Sequence, residues 1–290
     1  MSTSLYHSPD PAALKLAQSV FRLFDALEIG PDEAAGILNL SKRAFNRLSG
    51  NPMRLPLDCL RRMTDALHVP VESILNGTVD LPQVRRWRLG DYTLPLRYVV
   101  GSGSRTRTFL PVLRYLANDY RPRAPRHLLR RLGVHPNSIA DPSALVSIHL
   151  LNDACSLLAS QGFSALAFRE MGLRVPDLPE NLPLYRVFSS ARNQKELWEL
   201  FVGELSGAYD SNFYYRISEI SSKHVIVDIS ARAEVQGKLG VHHLASSWVQ
   251  FYRQGVAMAH SKYIGRKISP LEELANVRQG AKSDVYRLTW

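Results

Sequence analysis

AAGILNLSKRAFNRLSG, residues 34–50, holds two short helical patterns joined by Asn39-Leu40. The first begins upstream, so that Pro31 to Leu38 reads as one helix. Asp32 and Glu33 fall in its first turn, where the helix dipole favours acids. Ser41 is an N-cap for the second helix, Lys42 to Leu48. On that helix Phe45 and Leu48 face inward, and Lys42, Arg43, Asn46 and Arg47 are left outward. A helix fits the major groove, cations hold phosphates, and Arg or Asn can bond base edges bidentately.

Working outward, Asp10-Pro11 starts a preceding helix, with Leu16, Val20, Leu23, Phe24 and Leu27 on one apolar face. Gly30-Pro31 breaks it. On the other side Gly50-Asn51-Pro52 ends the basic helix. Pro56 opens a fourth, with Leu57, Leu60, Met63 and Leu67 predicted on its buried face, and Pro70 to Leu75 reads as a fifth. A basic helix alone is more often a solvated face; five helices in this order favour DNA binding.

Residues 31–75 resemble the Cro/repressor-like (XRE) helix-turn-helix family. AAGILNLSKRAFNRLSG resembles its helix-turn-helix core. The more specific signal is LDCLRRMTDALHVPVESIL, residues 57–75, whose end resembles the family's Ala-Leu-x-Val-x-x-x-x-Leu pattern, with Ile74 at its last position. The resemblance implies that Lys42, Arg43, Asn46 and Arg47 occupy recognition-helix positions and that Ser41 contacts phosphate. Asn39 replaces the family's usual turn glycine; asparagine tolerates the left-handed conformation, so the turn stays feasible.

Charge agrees with a nucleic-acid partner. The 290 residues carry 36 Lys and Arg against 26 Asp and Glu, a formal net charge of +10. An excess of that sign favours nucleic acid first and an anionic membrane surface second. The excess sits in the first half. One group is Lys42, Arg43, Arg47, Arg54, Arg61 and Arg62; a second runs from Arg85 to Arg131, with Asp91 and Asp119 as its few acids. Apolar residues make up 45%, enough for packed cores, and no apolar run reaches the ~18–20 residues of a membrane span. The first residues show no signal-peptide pattern. The two cysteines, Cys59 and Cys155, read as free thiols in a reducing compartment. Together these features predict a cytoplasmic protein.

Between Asn76 and Leu96 few helical signals appear, and YTLPLRYVV, residues 92–100, reads as extended. Gly101-Ser102-Gly103-Ser104 reads as a flexible hinge. The predicted division is a helix-turn-helix domain over 10–76, a basic linker over 77–107 and a second domain over 108–290. In the linker, phosphate tracking and plain solvation are equally open readings for the arginines.

The second domain begins with helical patterns at Thr108 to Asn118 and Pro125 to Leu132. A third helix follows Asp141-Pro142, with Val146, Leu150, Leu151, Ala154, Cys155 and Leu158 aligned, and a short one runs to Gly172. Asn193 caps an amphipathic helix containing Leu197, Trp198, Leu200, Phe201 and Leu205. Alternation then predicts a hairpin: Phe213, Tyr215, Ile217, a turn at Ser221-Ser222-Lys223, then Val225, Val227 and Ile229. His242 to Met258 reads as helix. EELANVRQG and SDVYRLTW make a second strand pair around Gln279-Gly280. The predicted fold class is an all-α N-terminal helix-turn-helix domain plus an α+β C-terminal domain, helices on a small antiparallel sheet.

HLLRRLGVHPNSIADPSALVSIHLLNDACSLLASQGFSALAFREMGL, residues 127–173, resembles the N-terminal effector domain of some AraC-type regulators in its Leu-Gly helix end, its Asp-Pro and its helix-Gly-helix pair. The remainder, ending in DVYRLTW, is similar to small-molecule sensing domains of the 4-vinyl-reductase and haem-NO-binding group. The resemblance implies a ligand pocket between helices and sheet. The zinc-binding cysteines of some such domains are missing, and so is the Tyr-x-Ser-x-Arg motif associated with haem. That leaves an organic ligand, or none. Candidate pocket residues are Tyr185, Phe188, Trp198, Phe213, Tyr215, Trp248, Phe251 and Tyr252, each individually more often plain core.

No phosphate loop, zincin or nucleophile-elbow motif occurs. His242 and His243 point about 100° apart on a helix and make no i, i+4 metal pair with His260. Cys155, on an apolar face, reads as inert core. The sequence therefore predicts a non-enzymatic regulator without metal or cofactor. It would bind double-stranded DNA as a homodimer, with a second domain that senses a small organic molecule, dimerises, or does both. The alternative is a helix-turn-helix protein-interaction module, antitoxin-like or an adaptor, with an assembly domain.

Overall fold

The computed structural model describes residues 11–50 and 55–290. The expected Asp10 cap, the Asn51-Pro52 stop and Arg54 lie outside them. The chain divides into two compact units. One runs to Thr93 and adds Leu129–Asn137; the other comprises Leu94–Leu128 and Ser138–Trp290. Among the described residues no helix is long and apolar enough to cross a membrane.

The first unit is helical: α1 (Pro11–Ala26), α2 (Pro31–Leu38), α3 (Lys42–Gly50), α4 (Leu57–Leu67), α5 (Val71–Asn76) and α6 (Leu81–Arg88). Their apolar faces share one core, in which Val20, Leu38, Phe45 and Met63 are buried. On α4 the buried face is Cys59, Leu60, Met63, Thr64 and Leu67. Leu57, expected on that face, is 81% exposed. At 100° per residue it lies about 90° from the face's centre.

Helix α6 lies within residues 77–107, the expected basic linker, where the pattern predicts little helix. The Asp80 carboxylate accepts from the Gln83 N–H at 3.0 Å, Pro82 stands in the first turn, and Val84 and Trp87 are buried. Its arginines are tied to the unit. Arg88 reaches the Leu27 carbonyl at 2.7 Å and both Glu33 oxygens, and Arg85 reaches the Ala26 carbonyl at 2.6 Å. The returning segment 129–137 is held likewise. Gln83 Nε2 donates to Gly133 O at 2.8 Å, His68 Nε2 donates to Val134 O at 2.7 Å, and His135 stacks on Tyr92 with ring centres 4.3 Å apart.

The second unit mixes helices with a sheet. Residues 96–98, expected to be extended, form a 3-10 turn. β1 (Ser104–Arg105) pairs with β2 (Leu145–Val146), so Val146 belongs to a strand and not to the predicted helix. Asp141 Oδ1 accepts from the Ser143 N–H at 2.8 Å, which makes a turn there rather than a helix start. The Gly101–Ser104 stretch is a packed turn, not a hinge. A Cβ on Gly103 would sit 2.3 Å from Asn212 Oδ1, and the Gly103 carbonyl accepts from the Ser211 N–H.

Helices α7 (Leu110–Tyr115), α8 (Ala124–Arg131, whose last turn belongs to the first unit), α9 (His149–Ser160), α10 (Ala165–Leu173) and α11 (Leu182–Phe188) follow. α12 (Gln194–Leu200) is capped by Asn193 and continues through a π-helical turn, Phe201–Leu205, into α13 (Ser206–Tyr209). The predicted hairpin is present as β3 (Phe213–Ile220) and β4 (His224–Ala231), with a bulge between Ile217 and Glu219. After α14 (Ala233–Leu239) comes α15 (Ser247–Ala259). The latter starts five residues later than expected because Asn152 bonds the Leu244 carbonyl and the Ser246 N–H, holding the preceding loop irregular, and Ser246 then caps the helix. β5 (Leu271–Ala275) and β6 (Asp284–Thr289) complete an antiparallel sheet of order β3-β4-β6-β5.

α15 is the helix around which the second unit is built. On one side it meets α10 backbone to backbone: a Cβ on Gly172 would lie 2.1 Å from Tyr252 O, and one on Gly255 would lie 2.0 Å from Arg169 O. Its other side carries Val249, Arg253, Val256 and His260 toward the residues Val227, Tyr286 and Leu288 of β4 and β6.

Candidate functional site

In the first unit the expected contact residues come together on α3. Asn39 closes α2 in the left-handed conformation, with φ 55° and ψ 46°, and turns the chain into α3. The Ser41 hydroxyl accepts from the Ala44 N–H at 3.2 Å and keeps its own proton to donate. Phe45 anchors the helix, and Phe21 meets it edge-on with ring centres 5.7 Å apart. Ser41, Lys42, Arg43, Asn46 and Arg47 are all exposed. Lys42 pairs with Asp32 at 2.8 Å, and both side chains are largely in water, so the pair costs little to exchange. On α4, Arg61 and Arg62 share Asp58.

Many arginines of the second basic stretch have partners of their own. Arg97 grips Asp153, Arg114 reaches Glu180 at 2.7 Å, Arg130 reaches Asp65 at 3.1 Å, and Arg107 bonds Ser143. Their charge is spent largely within the fold.

In the second unit a cavity of about 50 Å³ lies between α15 and the sheet, and none of its lining residues is exposed. Helical spacing puts Val249, Arg253, Val256 and His260 on one stripe; strand alternation puts Tyr215, Val227, Ile229, Tyr286 and Leu288 opposite. In register, Tyr215 faces Ile229 and Val227 faces Tyr286. Trp198 and Phe201 also line the cavity.

Arg253 dominates this cavity electrostatically. Its side chain is 11% exposed, and its guanidinium lies over the Phe213 ring, 3.8 Å from the centroid. Both Nη1 and Nη2 are buried without a hydrogen-bond partner, and so is Tyr286 Oη. Asp284 Oδ2 is 3.8 Å from Nη1, within electrostatic range but beyond hydrogen bonding. Its other oxygen is occupied by Gln250 Nε2 at 3.0 Å and the Val277 N–H at 3.1 Å. Asp210 Oδ1 accepts from the Asn212 N–H and Nδ2.

Burial sets the protonation states. It works to lower the Arg253 pKa, but Tyr215, Tyr286, Asp284 and Asp210 outweigh it and hold the guanidinium charged. Burial pushes Asp210 up toward its neutral form and raises Tyr215 to about 12. His260, whose Nδ1 faces Val256 O at 2.9 Å and whose ring stacks on Trp198, is pushed down to about 4 and stays neutral. Cys155 is fully buried with its pKa pushed up, which leaves it a thiol and a poor nucleophile.

No protein-family model and no curated protein matches the chain. Among solved structures it is similar to an H-NOX protein from S. oneidensis in the Fe(II)NO ligation state. The identity is 8%, the match covers 64% of this chain and 99% of that one, and the TM-score is 0.48. A likeness of that degree fixes neither fold nor function.

Of the eight candidate pocket residues, Trp198, Tyr215 and Tyr252 line the cavity. Phe213 packs beneath Arg253 and also borders a second cavity of about 180 Å³, beside His242 and His243. Tyr185 and Phe188 contact Tyr263 instead, and Trp248 and Phe251 lie elsewhere on α15, where Trp248 meets Phe168 and Arg169 stacks on Phe251. Sequence reasoning missed Arg253, Asp210, Asp284, His260 and Tyr286. One signal was there: Arg253 interrupts the apolar stripe of α15, at i+4 from Val249 and i−4 from Ala257. The cavity is far smaller than a porphyrin. Among the described residues no cluster of three or more His, Cys, Asp or Glu could hold a metal ion.

Proposed function

We propose that the protein is a DNA-binding transcriptional regulator of the XRE helix-turn-helix kind. α3 enters the major groove, and the second unit binds a small molecule and dimerises. The observation that carries this reading is the exposed α3 face: Arg43, Asn46 and Arg47 stand free of the core while Phe45 fixes the helix beneath them. Those side chains suit base edges and phosphates, and Ser41 at the helix start suits a phosphate oxygen. A dimer would place two such helices on half-sites about one helical turn, ~34 Å, apart.

In this reading the second unit has no catalytic task. Its cavity selects a ligand, and occupancy biases DNA affinity because the ligand binds one state of the regulator better than the other. The protein works in the cytoplasm without a metal or prosthetic group. Binding to the protein's own upstream DNA and to scrambled DNA of equal length, at two salt concentrations, tests the reading. Preference for the upstream DNA with a steep salt dependence supports it. No DNA binding at either salt concentration would favour a protein-interaction module.

A further inference from the structure

We infer that the cavity beside α15 takes a small monocarboxylate, held through both oxygens by the edge of the Arg253 guanidinium, with its short apolar body against Trp198 and Phe201. This names the ligand class for the sensing half of the proposed function and rests on that reading.

Unsatisfied buried polar groups are rare in folded proteins, and three occur together on this wall: Arg253 Nη1, Arg253 Nη2 and Tyr286 Oη. All three can donate, so the missing partner is an acceptor. Phe213 covers one face of the guanidinium at 3.8 Å, which fixes its plane and leaves the Nη edge unfilled. That edge matches a carboxylate, which accepts two parallel N–H bonds. The two aspartates nearby do not supply this partner. Asp284 stays 3.8 Å from Nη1 with its other oxygen engaged by Gln250 and Val277, and Asp210 is engaged by Asn212.

Size narrows the class. A cavity of about 50 Å³ exceeds what one water needs, and falls well short of the roughly 150 Å³ of an engineered site that admits benzene. An acid of about two to four carbons fits that interval. Most of the remaining wall is apolar, with Val227, Val256 and Leu288 around the space, although Ser104, Thr108, Asp210 and His260 also line it. It favours a methyl or ethyl tail over a second charged group, since a second carboxylate would be buried without a partner.

Calorimetric titration of the full chain, without DNA, tests the assignment with acetate, propionate, propionamide and benzoate at constant chloride. Propionate is expected to bind at least tenfold more tightly than propionamide, and benzoate more weakly than propionate. Arg253→Met is expected to lose at least tenfold in propionate affinity. Tyr286→Phe, which deletes one hydroxyl and keeps the ring, is expected to lose about threefold; it keeps the test decisive should the arginine variant not fold. A purely structural Arg253 and Tyr286 would leave the propionate-to-propionamide ratio unchanged. Equal binding of acid and amide, or no binding of any acid, would overturn the proposal. Either result leaves DNA binding, measured separately, untouched.

Discussion

Nη1 of Arg253 lies 3.8 Å from Oδ2 of Asp284, near enough to attract and too far to hydrogen-bond. The acidic groups around this guanidinium outweigh the cost of taking it out of water, so the fold depends on the charge even with its Nη donors unfilled. Arg253→Met keeps most of the volume and leaves Asp284 and Asp210 with their other hydrogen-bond partners. Urea unfolding of the ligand-free variant is expected to show a loss of about 3 kcal/mol or more, because Asp284 is left as a buried charge without its cation. Stability equal to wild type would contradict a guanidinium held charged by these acidic groups.

Gly255→Ala is expected to destabilise the second unit by about 3 kcal/mol or more, because its Cβ would meet the Arg169 carbonyl at 2.0 Å, in rigid helix backbone. Gly172→Ala is expected to behave alike, against Tyr252 O. Gly162→Ala has open space but a positive φ of 92°, and serves as a strain-only control. Thermal melts that show no difference between Gly255→Ala and wild type would contradict the close helix crossing.

His260 makes stability depend on pH. Burial holds its folded-state pKa near 4, below the unfolded value of about 6.5, so the unfolded chain takes up the proton first as pH falls. The contribution is therefore complete above about pH 6.5 and is lost progressively down to about pH 4, on the order of 3 kcal/mol in total. Unfolding free energies of wild type and His260→Gln across that window check this. The wild type should show the steeper acid loss, and parallel curves would rule out a buried neutral imidazole.

Asn39 sits at φ 55° between α2 and α3, where an L residue other than Asn is strained. Asn39→Gly is expected to stay within about 0.5 kcal/mol of wild type, and Asn39→Val to lose about 1–2 kcal/mol. Equal stability of the two variants in denaturant titrations would mean that the turn is not held in the left-handed region.

Much of this architecture was legible from period and punctuation. Pro31 and Asn39 bracket α2 as expected, and the alternation of Phe213, Tyr215 and Ile217 marks β3. The misses share a cause, which is tertiary partners that local pattern does not encode. Asn152 delays α15, Asn212 packs against Gly103 and removes the hinge, and the hydrogen bond from His68 to Val134 draws 129–137 into the first unit. Helix α6 is different, because Asp80-Leu81-Pro82 is a start signal plain in the sequence. At the cavity, aromatic residues were readable as candidates. Arg253 showed only as a break in the apolar stripe of α15; its role was not legible, because its neighbours Phe213, Asp210 and Asp284 are separated from it by 31 to 43 positions and meet it only once the sheet forms against α15.

The most direct test of the central claim is a salt-dependent titration of the protein's own upstream DNA with wild type, Arg43→Ala and Arg47→Ala. Wild type is expected to prefer that DNA over a scrambled duplex, with log affinity falling steeply against log salt. Each variant should weaken binding by about 1–3 kcal/mol while its melting temperature stays unchanged. Equal affinity of all three proteins at matched salt would contradict the assignment of α3 as the helix that reads DNA.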